Sequence, residues 1–486
     1  MQRVRAVVLA LLLAGCGGGG APDGGSERKP VRVPEADRAM GAEQHPRLLA
    51  EFGGAYAGGQ ARYVAAVGQR VAAAAGLKGQ CRFTLVNSDV VNAFAVPGCY
   101  IYITRGMLAI VGSEAELASV LGHELGHIVG AHSQRQQRRS VFRRVGVALV
   151  NLTGSERLTR LAGQAAQYFT LRYSRNQEYQ SDDLGLRYLR TAGYDPYAEG
   201  EMLARLAANE RFVAATAGRD EARSIPEWAS SHPLTGNRIE RATEGARAMG
   251  LTNDQLPENE AAYLRAVDGM LYGDDPEQGF VLGRRFAHPV MGITFEAPRG
   301  WTLTNSPRAV LLAGPGGARG EFGGGPMPAG GVTAYAEALA TGLLGRASGD
   351  VAGVERGVIN GLASVIVDMR IRAEGGVVPL TIAAYDGGNG EAYHFVLLSP
   401  PGRPSSAAGA ALIGSFRRLL PAEAARLRPQ MVRTVAVGPG DTTASLSARM
   451  ADPNGRALFA MLNGLETGGA VRRGTRVKIV TDAQAR

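Results

Sequence analysis

An α+β chain is predicted, on three observations. Apolar residues recur at helical spacing through Leu117, Val120, Leu121, Leu125, Ile128 and Val129, which gives one buried helix face. Ahead of them, Arg82-Phe83-Thr84-Leu85-Val86 and Tyr100-Ile101-Tyr102-Ile103-Thr104 are short, rich in β-branched and aromatic residues, and interrupted by turns, as strands are. Further on, strand-like and helical segments alternate. These divide the chain into a mainly helical domain with a small sheet (45–272), an α/β section without assigned chemistry (278–420) and a small βααβ unit (430–482). At 486 residues, several domains are expected. Apolar residues at 45% and charged residues at 20% describe a globular protein with abundant glycine, and the formal charge of +9 favours anionic surroundings. No nucleic-acid motif accompanies it.

At the N-terminus, Arg3 and Arg5 precede an apolar run from Ala6 to Ala14, too short to span a bilayer. Leu13-Ala14-Gly15-Cys16 resembles a bacterial lipobox. The resemblance implies a signal peptide over 1–16 and lipidation at Cys16; a plain secretory signal fits the same charged and apolar regions. Gly17 follows rather than an aspartate, which points to the outer membrane's inner leaflet. Residues 17–44 read as a tether rich in Gly, Pro and charge. No other stretch has the length of a membrane span. The basic segment Arg135 to Arg144 leads into a short apolar run, Val145 to Leu152, readable as a lid, a membrane-touching helix or a buried helix.

His123-Glu124-Leu125-Gly126-His127 carries the most chemistry. Residues four apart share a helix face, so both imidazoles reach one metal ion and Glu124 stands beside it. Zinc takes imidazole and carboxylate ligands, leaves a position for water at a catalytic site, and lowers that water's pKa toward ~7. A neighbouring carboxylate can then take its proton. Ser113-Glu114-Ala115-Glu116 reads as a capping box for this helix. Gly122, Gly126 and Gly130 predict close packing against another backbone, or room for substrate. Such pairs also arise on solvated faces, but this segment is otherwise apolar, and a buried Glu without metal or partner is costly.

A third ligand is needed, and Glu178 is the candidate. Glu178 and Asp182 lie four apart on a predicted helix that runs to Gly193 and stops before Asp195-Pro196. Asp182 could hold a ligand histidine by its free ring nitrogen. The plain alternative is a solvated acidic face.

Val91-Asn92-Ala93-Phe94-Ala95-Val96-Pro97-Gly98, then Tyr100 to Leu108, the helix above, Glu178-x-x-x-Asp182, and Ser231-His232-Pro233-Leu234 with Arg238-Ile239 together resemble one family. It is the CAAX prenyl protease, HtpX and BepA family of zinc metallopeptidases, in its periplasmic branch. The resemblance covers roughly residues 45 to 270. It implies one zinc ion per chain on His123, His127 and Glu178, Glu124 as general base and Asp182 as proton donor. It leaves His232 as either a latch over the metal or a hydrogen-bonding neighbour. Arg238 is a candidate for binding substrate backbone or an acidic group near the metal, with a surface arginine as rival. Asn92 to Val96 is the candidate edge that holds substrate extended. His132 is turned roughly 140° from His127 on an ideal helix, which makes it structural rather than a ligand.

With Cys16 lipidated, Cys81 and Cys99 remain. In an oxidising periplasm they can form a disulfide beside the substrate edge; two free buried thiols is the competing reading. In the middle section, strands are expected at Ile293–Ala297, Ser364–Ile371, Leu380–Tyr385 and Tyr393–Leu398, and helices at Val332–Leu344 and Ala407–Leu420. Gly314 to Gly331 is expected to be a mobile connection. Phe295-Glu296-Ala297-Pro298-Arg299-Gly300-Trp301 faintly resembles photosystem-associated and Mog1-like domains. Val435-Ala436-Val437, Gly440-Asp441-Thr442, Leu446, Leu462-Asn463-Gly464-Leu465, Gly474 and Val477-Lys478-Ile479 resemble a LysM domain, with Met450 to Arg456 departing from the pattern. This implies burial of Leu446, Leu462 and Ile479, and a peptidoglycan-binding groove.

The expectation is a lipid-anchored periplasmic endopeptidase acting on unfolded or misassembled envelope proteins. A non-proteolytic chaperone or adaptor anchored to peptidoglycan, and a peptidoglycan hydrolase, are the alternatives.

Overall fold

In the computed structural model, residues 32–133, 135, 158, 173–216, 228, 231–233, 236–345, 349–373, 376–388, 390–400, 407–465 and 469–483 are described. Cys16 and Val145 to Leu152 lie outside them. The tether reading is corrected from residue 35 onward, where α1 (Glu35–Glu51) begins. Its charged residues other than Asp37 are exposed, but Gly41, His45 and Leu48 form a narrow buried face, and Leu48 with Phe52 packs on Phe94, Val96 and Tyr102.

Next come α2 (Gly59–Ala74) and three short strands, β1 (Arg82–Val86), β2 (Ala93–Val96) and β3 (Tyr100–Thr104). β3 is central, parallel to β1 and antiparallel to β2, so β2 is an edge. Cys81 and Cys99, each one residue ahead of a strand, form a disulfide.

Among the described residues, the helices that follow include α3 (Arg105–Ile110), α4 (Glu114–Val129), α5 (Arg175–Ala192), α6 (Ala198–Thr216) and α7 (Gly236–Ala248). Every residue of α4 from Ala115 to His127 is buried. Helix α5 crosses it closely: a Cβ on Gly126 would lie 2.9 Å from the Cα of Ser181, and one on Gly122 3.5 Å from the Cα of Gly185. These glycines therefore set the distance between the two helices. Only half of the expected capping box forms. Ser113 accepts from the Glu116 amide at 3.1 Å, but the Glu116 carboxylate takes the Gly112 amide and the Arg205 guanidinium instead of reaching back to Ser113. In α5, Ser174 and Gln177 do form a reciprocal cap, and Gly193 closes the helix in the left-handed conformation.

After α8 (Glu260–Val267) and the two-residue β4 (Leu271–Tyr272), the middle section contains β5 (Phe280–Leu282), β6 (Arg285–His288), β7 (Ile293–Glu296), β8 (Thr302–Asn305), β9 (Val310–Ala313), β10 (Arg319–Pro326), α9 (Gly331–Leu344), β11 (Gly349–Ile359), β12 (Leu362–Ala373), β13 (Gly376–Gly388), β14 (Glu391–Leu398), α10 (Ala407–Ser415) and β15 (Arg417–Arg418). A seven-stranded sheet, ordered β11-β12-β13-β14-β10-β9-β8, is accompanied by a four-stranded one, β15-β7-β6-β5. One core joins α9 to the large sheet; a second joins the two sheets and α10. Leu158, from the stretch between α4 and α5, is buried in the α9 core. Two expectations are corrected here. The glycine-rich stretch read as a connection contains β10, because neighbouring side chains cover its bare backbone: a Cβ on Gly320 would lie 2.6 Å from Leu397 Cδ2, and one on Gly324 2.9 Å from Tyr393 Cδ1. The helix expected to reach Leu420 ends at Ser415, and Arg417–Arg418 pairs with β7.

The C-terminal unit is β16 (Gln430–Ala436), α11 (Thr443–Ser447), α12 (Gly455–Leu462) and β17 (Arg476–Asp482). Leu446, Phe459 and Ile479 form its small internal core. It does not stand apart. Strand β4 joins the free edge of β16, and Val432, Leu458, Leu462 and Val480 belong to the same core as Leu121 and Leu125 of α4. Lys478 is 1% exposed, and its Nζ donates to the carbonyls of Ala109 at 2.6 Å and Val111 at 2.7 Å. Among the described residues, no helix is long and apolar enough to cross a membrane.

Candidate metal centre

Helical periodicity places His123 and His127 on the α4 face that meets α5, and Glu178 on the first turn of α5. The two Nε2 atoms lie 3.0 Å apart. Glu178 presents one oxygen 3.6 Å from His123 Nε2 and the other 3.5 Å from His127 Nε2. His232 completes the cluster: its Nδ1 lies 3.1 Å from Glu178 Oε1 and 3.3 Å from His123 Nε2. One donor atom from each of the four residues lies within 4.8 Å of every other, and all four residues are buried.

The hydrogen bonds behind the rings decide which nitrogens remain free. His123 Nδ1 donates to Asp182 Oδ1 at 2.9 Å, which leaves Nε2 with a lone pair. His132 Nε2 donates to Gln180 Oε1 at 3.0 Å, so its Nδ1 must accept. The partner there is His127 Nδ1 at 2.7 Å, whose N–H is thereby committed. His127 Nε2 is then also a lone pair. Burial first, and the neighbouring histidines next, push His127 well below the usual imidazole range, which keeps it neutral. Two lone pairs and a carboxylate converging in a water-poor site repel one another unless a cation lies among them, and this is a donor set that zinc takes. The side chains present fit the metal.

Surrounding residues hold this arrangement. Arg238 is 1% exposed. It donates to both oxygens of Asp182 at 2.7 and 2.8 Å and lies 2.8 Å from Glu178 Oε2. It is sealed against acidic groups, and the substrate-binding expectation for Arg238 is corrected accordingly. Burial opposes the charge on Asp182, but its bonds to His123 and Arg238 outweigh this and hold the carboxyl well below its usual range. Asp182 stands behind His123, with both of its oxygens accepting from Arg238. Burial likewise opposes ionisation of Glu178, and His232, His123 and Arg238 overcome it.

Glu124 is different. It is 1% exposed, its carboxylate oxygens have no side-chain hydrogen-bond partner, and the backbone N–H of Ala95 on β2 faces it. Burial, with help from Glu178, pushes its carboxyl up to about 8. His232 Nε2 lies 3.6 Å from Glu124 Oε1.

His132 is outside the cluster, but not because it turns away on the helix. Helix α4 ends at Gly130, Ala131 adopts φ 49°, and the reversal brings His132 back onto His127. Asn92 sits just ahead of β2, where its N–H meets Thr104 Oγ1 and its carbonyl the Thr104 amide, which registers the edge strand. Three contributors were not foreseen. Tyr173 stacks on His127 at 3.8 Å, Trp228 stacks on His232 at 4.1 Å, and Glu199 lies behind Asp182 and His123. The sequence carries no local pattern that marks them.

Residues 59–246 match peptidase family M48. The β-barrel assembly-enhancing protease of Yersinia pestis is 31% identical over 199 residues, 39% of this chain and 39% of that protein. Its Escherichia coli counterpart is 27% identical over 199 residues, again 39% of each. The mitochondrial metalloendopeptidase OMA1 of Schizosaccharomyces pombe is 29% identical over 188 residues, 37% of this chain and 52% of that one. The chain thus spans well under two thirds of the length of these relatives. Among solved structures, cyanobacterial PsbP from Synechocystis aligns with 29% of this chain and 98% of its own, at 12% identity and a TM-score of 0.24, too low to support an argument.

Proposed function

We propose, from a chain whose residues 59–246 match peptidase family M48, that it is a zinc-dependent endopeptidase with His123, His127 and Glu178 as metal ligands. The observation that carries this reading is the meeting of two imidazole lone pairs and one carboxylate beside Glu124 and the open edge of β2. When bound, zinc would supply Lewis acidity toward the scissile carbonyl and the attacking water. Glu124, kept basic by burial, takes the proton of that water and returns it to the leaving amine. Asp182 and Arg238 do not exchange protons; they fix the ring of His123 and the carboxylate of Glu178. The outer edge of Ala93–Val96 pairs with substrate backbone without reading side chains, which suits varied, unfolded substrates. His232, stacked on Trp228 and bonded to Glu178, closes the front of the centre and moves aside when substrate arrives.

The substrates we propose are misfolded or misassembled proteins of the bacterial envelope, in keeping with the names of the relatives above. Lipidation at Cys16 would tether the chain in the periplasm, at the outer membrane. The 430–482 unit, read as LysM-like, would place the catalytic domain directly on peptidoglycan, since the two share a core. His232 within the cluster also favours a second reading, a closed chaperone or adaptor that binds clients without cutting.

Cleavage of casein and of an unfolded outer-membrane protein, by wild type and Glu124→Gln, decides between them. The enzyme reading expects cleavage by wild type only, with zinc retained by both. Client binding without cleavage by either supports the adaptor, and release of muropeptides from sacculi would replace both readings with a peptidoglycan hydrolase.

A further inference from the structure

Glu199, in the first turn of α6, is 2% exposed and has no part in the mechanism above. Its Oε2 accepts a hydrogen bond from Ser119 Oγ at 2.8 Å. Carboxylate oxygens of Asp182 and Glu199 and a ring nitrogen of His123 lie within 4.8 Å of one another. Three helices supply this line at matched spacings. Ser119 is one turn before His123 on α4, and Asp182 is three residues before Gly185 on α5. Gly185 makes the approach possible, since a Cβ there would lie 3.1 Å from Glu199 Oε2. The adjoining cavity, bordered by Leu206 and Trp228, measures about 10 Å³ and admits at most one water.

From these contacts we infer that Glu199 is a positioning residue for His123, acting through Asp182. Both oxygens of Asp182 are already occupied by Arg238, and one of them also by His123, so Asp182 can only accept from Glu199. Glu199 must then bring the proton, and burial together with the adjacent Asp182 keeps its carboxyl well above the usual range. The line runs Ser119 O–H to Glu199, Glu199 O–H to Asp182, and His123 N–H to Asp182. It fixes the carboxylate that fixes the imidazole.

The inference rests on the metal-site reading, and full-length variants test the two separately. Zinc affinity by chelator competition, the visible spectrum of the cobalt(II) form, casein kinetics and thermal melting are compared for wild type, Glu199→Gln, Glu199→Leu and Ser119→Ala. Glutamine keeps a donor toward Asp182 and an acceptor for Ser119; leucine keeps only the volume. Loss of groups behind a metal ligand costs about 10–100-fold in affinity or activity. Glu199→Leu is therefore expected to bind zinc about 10-fold more weakly, lower kcat at unchanged KM and shift the cobalt bands. Glu199→Gln stays within about 2-fold of wild type on the same scale, and Ser119→Ala shifts in the direction of leucine by less. Wild-type zinc affinity and cobalt spectrum in Glu199→Leu, with melting alone altered, would overturn the inference and leave the metal site standing. Equal losses in Glu199→Gln and Glu199→Leu would overturn it too. Should Glu199→Leu fail to fold, Ser119→Ala with an unshifted cobalt spectrum overturns it. Wild type that takes up neither metal refutes the site reading and the inference with it.

Discussion

At the metal centre, Glu124, Glu178, Asp182 and Glu199 are buried around the guanidinium of Arg238. Beneath the C-terminal unit, Lys478 is buried against the backbone carbonyls of Ala109 and Val111. Both regions remove charge from water, at a cost of several kcal/mol per ion before compensation. They compensate differently. Even with Glu124 and Glu199 protonated, two ionised carboxylates face one guanidinium, and two imidazole lone pairs point inward. That region is short of positive charge, and a divalent cation answers the deficit. Lys478 is met by the backbone: the carbonyls of Ala109 and Val111 accept two of its protons, and burial pushes its amine well below the usual lysine range. A buried amine whose donors meet backbone carbonyls is a fastener, and a buried cluster of acceptors without enough donors or cations is a site.

The largest effect that tests this contrast is at Glu124. Glu124→Gln should reduce casein cleavage by about 10²–10⁴-fold while bound zinc, measured by elemental analysis, stays at wild-type level. Zinc lost together with activity would mean that Glu124 belongs to the ligand set and that the deficit is wrongly apportioned.

Lys478→Met should leave zinc affinity unchanged and lower stability by roughly 2–4 kcal/mol, because two buried carbonyls lose their donor. Calorimetry should show one transition, since the unit shares the core of α4. Two separate transitions, with only the later residues destabilised, would show that Lys478 fastens nothing.

A third case is covalent. Replacing both Cys81 and Cys99 by alanine opens a closed loop of 18 residues and should cost about 3 kcal/mol in denaturant titration, again without loss of zinc. Unchanged stability would show that the strands beside the centre need no brace.

The smallest effect sharpens the comparison at an intermediate site. Asp274, at the boundary after β4, lies near Arg105 but also near Asp89, and burial followed by Asp89 pushes its carboxyl from 3.8 to about 7. A carboxyl raised on folding binds more protons in the native state, so its stabilising share is present below pH 3.8 and is lost as pH rises through about 7. Asp274→Asn should therefore melt closer to wild type at pH 5 than at pH 8, where the variant gains. A melting difference that does not change between these pH values would show that Asp274 is already ionised.

The sequence by itself determined the parts of the centre that depend on neighbours three or four residues apart. The positions of His123, Glu124 and His127 on one helix, and of Glu178 and Asp182 on another, follow from 3.6 residues per turn. The burial of Leu446, Leu462 and Ile479, found at 1% exposure or less, was implied instead by the resemblance of 430–482 to a LysM unit. What only the tertiary structure decided was set by contacts far apart in sequence. Arg238, 56 residues after Asp182, meets both of its oxygens, where the sequence left substrate backbone, an acidic group near the metal or solvent as its partner. His132 read as turned away until the left-handed Ala131 brought it back. Gly320 to Gly325 read as a loop because glycine is locally permissive, whereas the side chains of β14 fill the space those glycines leave. Lys478 and Glu199 acquire their meaning from partners that local periodicity cannot name. Local pattern sets which face a residue lies on, and only packing sets what that face meets.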